Sequence, residues 1–177
     1  MSMRITNWTV ALVVITASAA LAGWTKSGEG GASFIGTGPA GFKMEGKTKA
    51  VDVKDDGKNL TVTVGLKELD TGIGLRDSHM RDKYIEVAKF PDATLVVPVA
   101  GLKEDGSETE SKGTFTVHGV SKEITFKYKA TCKAGTCDVE GTAGVNIKEH
   151  GINVPSYMGI TVKPDITVSV TFQVKKS

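Results

Sequence analysis

From Asn59 to Leu66 the chain alternates strictly: Leu60, Val62, Val64 and Leu66 share one side, and Thr61 and Thr63 take the other. A period of two is that of a strand with one buried face. The stretch 123–130 repeats it, with Ile124 and Phe126 opposite a strongly charged outer face. The most regular case is 166–174, where Val168, Val170 and Phe172 lie on one phase. Weaker alternation marks 32–36, 42–53, 93–100, 113–118 (which places Phe115 and Val117 together) and 138–148, so the pattern predicts about eight strands. Between them stand turn formers: Asp55-Asp56-Gly57-Lys58, Glu104-Asp105-Gly106-Ser107, His118-Gly119 and Ala134-Gly135. One-sided alternation with hairpin-length connections predicts an antiparallel sheet with one wet face. Its apolar face must then be hidden by stacking two sheets or by closing the sheet on itself.

One segment breaks the period. Met80, Tyr84 and Val87 fall at i, i+4 and i+7 within 78–90, with Asp77 or Ser78 placed to cap a start and Pro91 to stop the run. A short helix inserted between two strands is predicted there, its apolar stripe covering the sheet.

Composition adds constraints on the interior, the start of the chain and the net charge. Predicted interior positions are Val, Ile, Leu, Ala and Gly far more than aromatics, which make up 6% of the chain, and glycine counts 21. Small inward residues leave room for a cavity, although glycine also marks bulges and bends. Residues 10–22 form an uncharged apolar run of 13 after a short segment carrying Arg4, and Ala20-Leu21-Ala22 fits a cleavage pattern before Gly23. The run is too short to span a bilayer, which takes about 20 residues. The expected organisation is therefore a signal peptide at 1–22, a flexible Gly/Ser/charged lead-in at 23–31 and one domain at 32–177, with no membrane span after cleavage. Removing the signal leaves 155 residues with 21 Lys+Arg against 20 Asp+Glu. So even a balance gives no electrostatic reason to expect nucleic acid or an anionic surface as partner.

Cys132 and Cys137 are the only cysteines. In an exported chain their spacing predicts a disulfide clipping a hairpin around Ala134-Gly135. The histidines, His79, His118 and His150, stand in separate segments beside turns, without metal-ligand spacing. No metal or cofactor is expected; a metal-dependent activity through His79 or His118 is the weakest alternative. Neither a nucleophile elbow nor a phosphate loop in strand-to-helix context occurs, which argues against an enzyme.

Two segments carry a family resemblance. Leu69-Asp70-Thr71-Gly72, Leu75-Arg76-Asp77-Ser78-His79-Met80 and Lys89-Phe90-Pro91-Asp92-Ala93-Thr94 resemble one signature of the YceI-like family, and Gly113 to Lys122, through His118-Gly119-Val120, resembles its second. Order and separation agree over about 32–174. The resemblance implies an all-β fold, an eight-stranded antiparallel lipocalin-like barrel with a short helical insertion around 78–90. It also implies periplasmic or secreted location, binding of a polyisoprenoid or other long amphiphile inside the barrel, and no catalytic activity. The chain departs from the family at its opening, where Gly23-Trp24-Thr25 and Ala32-Ser33-Phe34 lack the usual acid and histidine, and in a longer loop over 151–159.

The expected apolar lining is Leu60, Val62 and Val64; Phe115 and Val117; Ile124 and Phe126; and Val168, Val170 and Phe172, with Met80, Tyr84 and Phe90 at one end. Arg76, Asp77 and His79 form the candidate polar end. Arg76 either meets an anionic head group or pairs with Asp77 to fix the crossover loop. The alternative to a lipid carrier is a ligand-free envelope stress or interaction module with a filled barrel. The sequence does not specify an oligomeric state.

Overall fold

Alternation produces the strands it predicts, and they close into a barrel. The computed structural model describes residues 23–157 and 160–176; the expected signal peptide lies outside the described residues. The strands are β1 (Trp24–Thr37), β2 (Lys43–Thr48), β3 (Val51–Asp55), β4 (Asn59–Gly65), β5 (Asp92–Pro98), β6 (Thr109–Val117), β7 (Val120–Lys133) and β8 (Thr136–Asn146). A two-residue pair, β9 (Ser156–Tyr157) and β10 (Ile160–Thr161), forms a small separate hairpin in the long loop, and β11 (Asp165–Lys176) ends the fold.

The strand expected over 42–53 is broken at Lys49-Ala50, where the Ala50 N–H donates to Thr48 Oγ1 (3.1 Å). Its halves act as one stave: β2 pairs with the upper part of β1, and β3 meets β1 at Thr25↔Lys54. Counted so, eight staves run β1, β2/β3, β4, β5, β6, β7, β8 and β11, each antiparallel to its neighbours, and β11 returns to β1. Inward residues of alternating phase fill three apolar clusters, one towards the β7–β8 hairpin end, one beneath the helical insertion, and one along β7.

Residues 24–31, expected to be a loose lead-in, are the first half of β1. Their composition offers little to bury except Trp24, but their backbone pairs with β11 from Trp24↔Lys176 onward. Backbone pairing needs no side-chain pattern, which is why the alternation misses it. The register shifts between Lys26 and Gly30. Gly28 takes φ +77° there, and a Cβ on Gly30 would stand 3.1 Å from Val51 Cβ and 3.2 Å from the Thr171 carbonyl oxygen. Glycine lets the closing strands approach.

The insertion starts earlier than the apolar spacing suggests. Helix α1 (Gly74–Ser78) runs into a π-helical turn over His79–Tyr84, closed by the Ile85 N–H on the Met80 carbonyl (2.9 Å). Neither Asp77 nor Ser78 caps its start; Ile73 occupies that position without a side-chain cap. Met80, Tyr84 and Val87 pack on the cluster beneath, as the covering role requires. No helix among the described residues is long and apolar enough to cross a membrane.

At the opposite end Cys132 and Cys137 are cross-registered and disulfide-bonded. Ala134 (φ 51°) and Gly135 (φ 81°) make the turn, both left-handed as a tight hairpin requires. Because the ring closed by the bond is small, its loop-entropy contribution is about 2 kcal/mol. Reduction, or Cys132→Ser with Cys137→Ser, is therefore expected to lower the unfolding free energy by about that amount and leave the barrel folded, as urea titrations followed by far-UV circular dichroism will show. A collapse of the strand signal on reduction would contradict it.

Candidate functional site: the apolar lumen and its mouth

Closing the sheet turns the apolar phase of each strand inward, and the enclosed space is incompletely filled. Towards the disulfide end lies a chamber of about 130 Å³, lined by Leu60 and Val62 of β4, Phe126 and Tyr128 of β7, and Val170 and Phe172 of β11, among others. Trp24, Leu102 and Lys103 also line it, and the Lys103 N–H donates to the Tyr128 hydroxyl (2.6 Å). A second chamber of about 130 Å³ lies under the insertion, lined by Phe34, Val64, Leu66, Met80, Tyr84 and Val117 and their neighbours. Phe115, Val145 and Val168 border both chambers and form the waist between them. Gly46 makes room for Phe34 in the upper chamber, since a Cβ there would fall 2.2 Å from the ring.

Above the upper chamber is a wider mouth of about 350 Å³, contributed by three separate segments: Phe42 and Met44; Ile73, Leu75, Arg76, His79, Met80, Lys83 and Tyr84; and Pro155, Ser156, Ile160 and Val162. Met44, Met80, Tyr84, Pro155 and Val162 belong to both mouth and upper chamber. Mouth, upper chamber, waist and lower chamber thus lie in series. Nearly all of the inner surface is apolar, so the site offers burial of an apolar chain and few hydrogen bonds.

Of the apolar residues predicted from the sequence, Leu60, Val62, Ile124, Phe126, Val170 and Phe172 face the lower chamber, Val64, Met80, Tyr84 and Val117 the upper, and Phe115 and Val168 the waist. Phe90 lies elsewhere: its ring packs on His118, centroids 4.6 Å apart, at the β6–β7 turn. Tyr128, on the phase of Phe126, and Trp24, in a segment whose composition reads as loose, also line the lower chamber. Val145 follows Gly141 and Ala143 on one phase too small-sided to mark a wall.

The polar candidates divide. Asp77 is buried and accepts from the Thr71 N–H (2.8 Å) and the Thr71 hydroxyl. Arg76 donates from Nε to Thr71 Oγ1 (2.7 Å) and from Nη2 to the Thr71 carbonyl (2.6 Å). Both side chains thus grip the Asp70-Thr71-Gly72 turn and hold the insertion over the barrel. Arg76 also borders the mouth, as does exposed His79, whereas Asp77 faces away from it. Burial disfavours the Asp77 carboxylate, but the Thr71 hydroxyl and N–H outweigh it and hold the group below the usual carboxylate range.

The other histidines hold turns. His118 Nε2 is 3.0 Å from Glu86 Oε2, tying the insertion's far end to the β6–β7 turn. Glu86 is also held below its ordinary range, first by Lys89 and then by His118. His150 is buried behind the waist, with Nδ1 2.9 Å from the Val120 carbonyl and its ring edge-on to Phe115. Among the described residues, Glu104, Cys132 and Cys137 bring metal-ligating atom types together, but the two sulfurs are bonded to each other and offer no thiolate.

Comparison with known proteins agrees with this architecture. The family profile of the YceI-like domain matches residues 30–174. The chain belongs to the YceI-like family. Among curated YceI-like relatives, a UPF0312 protein of Enterobacter sp. (strain 638) is 34% identical over 89 residues, covering 50% of this chain and 42% of the relative. Protein YceI of Salmonella arizonae is 35% identical over 71 residues, 40% of this chain and 36% of that protein. The chain thus spans about two fifths of the length of the curated relatives it matches. Among solved structures, a polyisoprenoid binding domain from Saccharophagus degradans, implicated in plant cell wall breakdown, superposes with a TM-score of 0.71 at 16% identity, over 88% of this chain and 99% of that one. BcnA of Burkholderia cenocepacia gives 0.67 at 17%, over 81% and 95%. At such identities the likeness is one of fold.

Two outcomes follow from the turn anchors. Asp77→Ala leaves the Thr71 N–H without its acceptor and is expected to destabilise the fold by about 1–3 kcal/mol in urea titration, with no loss of strand content. For the pH dependence the sign is fixed by the depressed carboxyls of Asp77 and Glu86. The stability they contribute is complete above their ordinary values of 3.8 and 4.5 and is lost as pH falls through the lower folded values. Protection factors for amide exchange over 71–90, with the intrinsic pH dependence of exchange divided out, should therefore fall on acidification before those in β7 and β11 do; a uniform response would refute the anchoring role.

Proposed function

We propose that this chain is an exported, non-catalytic binding protein that holds an isoprenoid or similar long amphiphile inside its barrel. The observation that carries the reading is the series of apolar spaces from mouth to lower chamber. A filled barrel, the alternative, needs no such spaces. Each inner chamber is of the size, on the order of 150 Å³, at which an apolar protein cavity admits a small hydrocarbon. One chamber takes part of a tail; a longer tail must move the waist side chains aside, and each further methylene buried returns about 0.8 kcal/mol. Support also comes from the Saccharophagus domain of like fold, described as polyisoprenoid binding. The apolar run and Ala20-Leu21-Ala22 at the start of the chain support export to the periplasm or beyond.

Native mass spectrometry with organic extraction, on mature protein purified from its own cell envelope without detergent, tests the reading. A stoichiometric lipid is expected; repeated preparations with a clean apo mass would favour the filled barrel. The waist gives a sharper prediction. Val168→Phe fills space open on both sides and is expected to weaken binding of long-chain isoprenoids about tenfold or more, leaving short chains that end in the upper chamber little affected. Fluorescence titration with a chain-length series checks this, and equal loss at every length would count against the serial arrangement.

A further inference from the structure

Phe42, Ile73, Leu75 and Ile160 are the exposed large hydrophobic residues among the described part of the chain, Ile73 and Leu75 at 54% and 62% exposure, and all of them border the mouth. They come from three segments distant in sequence, so the cluster is made by the fold. Scattered exposed apolar residues need no explanation, but a cluster confined to one rim does.

Charge is uneven in the same place. The segments that build the mouth carry Lys43, Arg76, Arg81 and Lys83 against Asp77 and Asp82, with Lys163 and Glu45 each one residue beyond them, and Arg76 and Lys83 line the mouth itself. Asp77 is buried on Thr71, and Arg81 donates to the Lys67 carbonyl. The near-neutral total, which by itself offers nothing to an anionic surface, hides a locally cationic end. An apolar tip surrounded by Lys and Arg is the composition that seats a protein on anionic lipid, the apolar side chains entering the headgroup and acyl boundary and the cations meeting phosphates.

We infer that the mouth rim docks on the surface of an anionic phospholipid bilayer, with Phe42, Ile73, Leu75 and Ile160 inserted and the lumen opening towards the membrane. A neutral apolar partner would explain the exposed side chains and leave the cations unaccounted for. The inference goes beyond ligand holding, and it rests on that reading only for its purpose: docking lets a tail pass into the lumen without crossing water.

The test uses vesicles that contain no isoprenoid, so that docking is read independently of what the lumen takes. Native protein is expected to co-sediment with vesicles of phosphatidylcholine mixed with phosphatidylglycerol, to bind phosphatidylcholine alone about tenfold more weakly, and to lose binding as salt rises. Ile73→Asp with Leu75→Asp, and separately Lys43→Glu with Lys163→Glu, should each reduce binding about tenfold or more. These side chains are exposed, and an unchanged melting temperature confirms that the variants fold. Unchanged vesicle binding in both variants overturns the inference, as does failure of the native protein to bind. Self-association that Ile73→Asp with Leu75→Asp abolishes, without vesicle binding, also overturns it and assigns the rim to a second copy of the chain. If vesicles bind but native mass spectrometry finds no lipid in the lumen, docking stands and the carrier reading falls.

Discussion

The pairing of β1 with β11 is the interaction on which the rest depends. Without it the sheet has two open edges, each a row of unpaired backbone groups, and its apolar phase faces no opposite wall. Closure does both jobs at once: it satisfies the edges and creates an interior. What closes it is almost entirely backbone, Trp24↔Lys176 through Ile35↔Thr167, across a stretch where glycines replace side chains so that the strands can approach. The inner chambers, the mouth and the seat of the insertion all presuppose that ring.

This explains which features were legible in the sequence. β4, β7 and β11 announce themselves because one side of each strand is buried and the other wet, and nearly every lining residue named from their phase does face the lumen. The first half of β1 does not announce itself, since hydrogen bonding is blind to side-chain type. Position along the lumen is equally hidden: periodicity says that Phe115 and Val168 point inward, but only the stagger of strands brings them with Val145 to one level. Arg76 and Asp77 are legible as a charged pair beside a turn, yet their common partner, Thr71, belongs to the turn before the helix and is reached by loop geometry. Phe90 follows the apolar stripe of the insertion in sequence, yet its ring packs on His118 and not in the lumen, a contact that periodicity does not show.

The barrel's two ends differ in construction. One carries the disulfide hairpin, with Trp24 and Leu102 lining the lumen and the Lys103 N–H bonded to the Tyr128 hydroxyl. The other is assembled from short, irregular pieces, α1, a π-helical turn and a two-strand hairpin, held by side-chain contacts such as those of Asp77 and His118. Irregular segments with few ladder bonds open at lower free energy than strands in mid-sheet. The same end carries the exposed apolar residues and the surplus of cations, which a whole-chain charge count averages away.

The widest opening of the lumen lies at the insertion end, and an apolar chain that used it alone would meet a cul-de-sac. For a protein that holds a chain molecule there, whatever goes in tail first must come out head first by the same door. A donor and an acceptor would then compete for one rim, and the protein could not bridge two of them at once. Were it to carry such a molecule, transfer would be a matter of successive visits, with direction set by relative abundance and affinity at each stop and not by anything in the barrel itself.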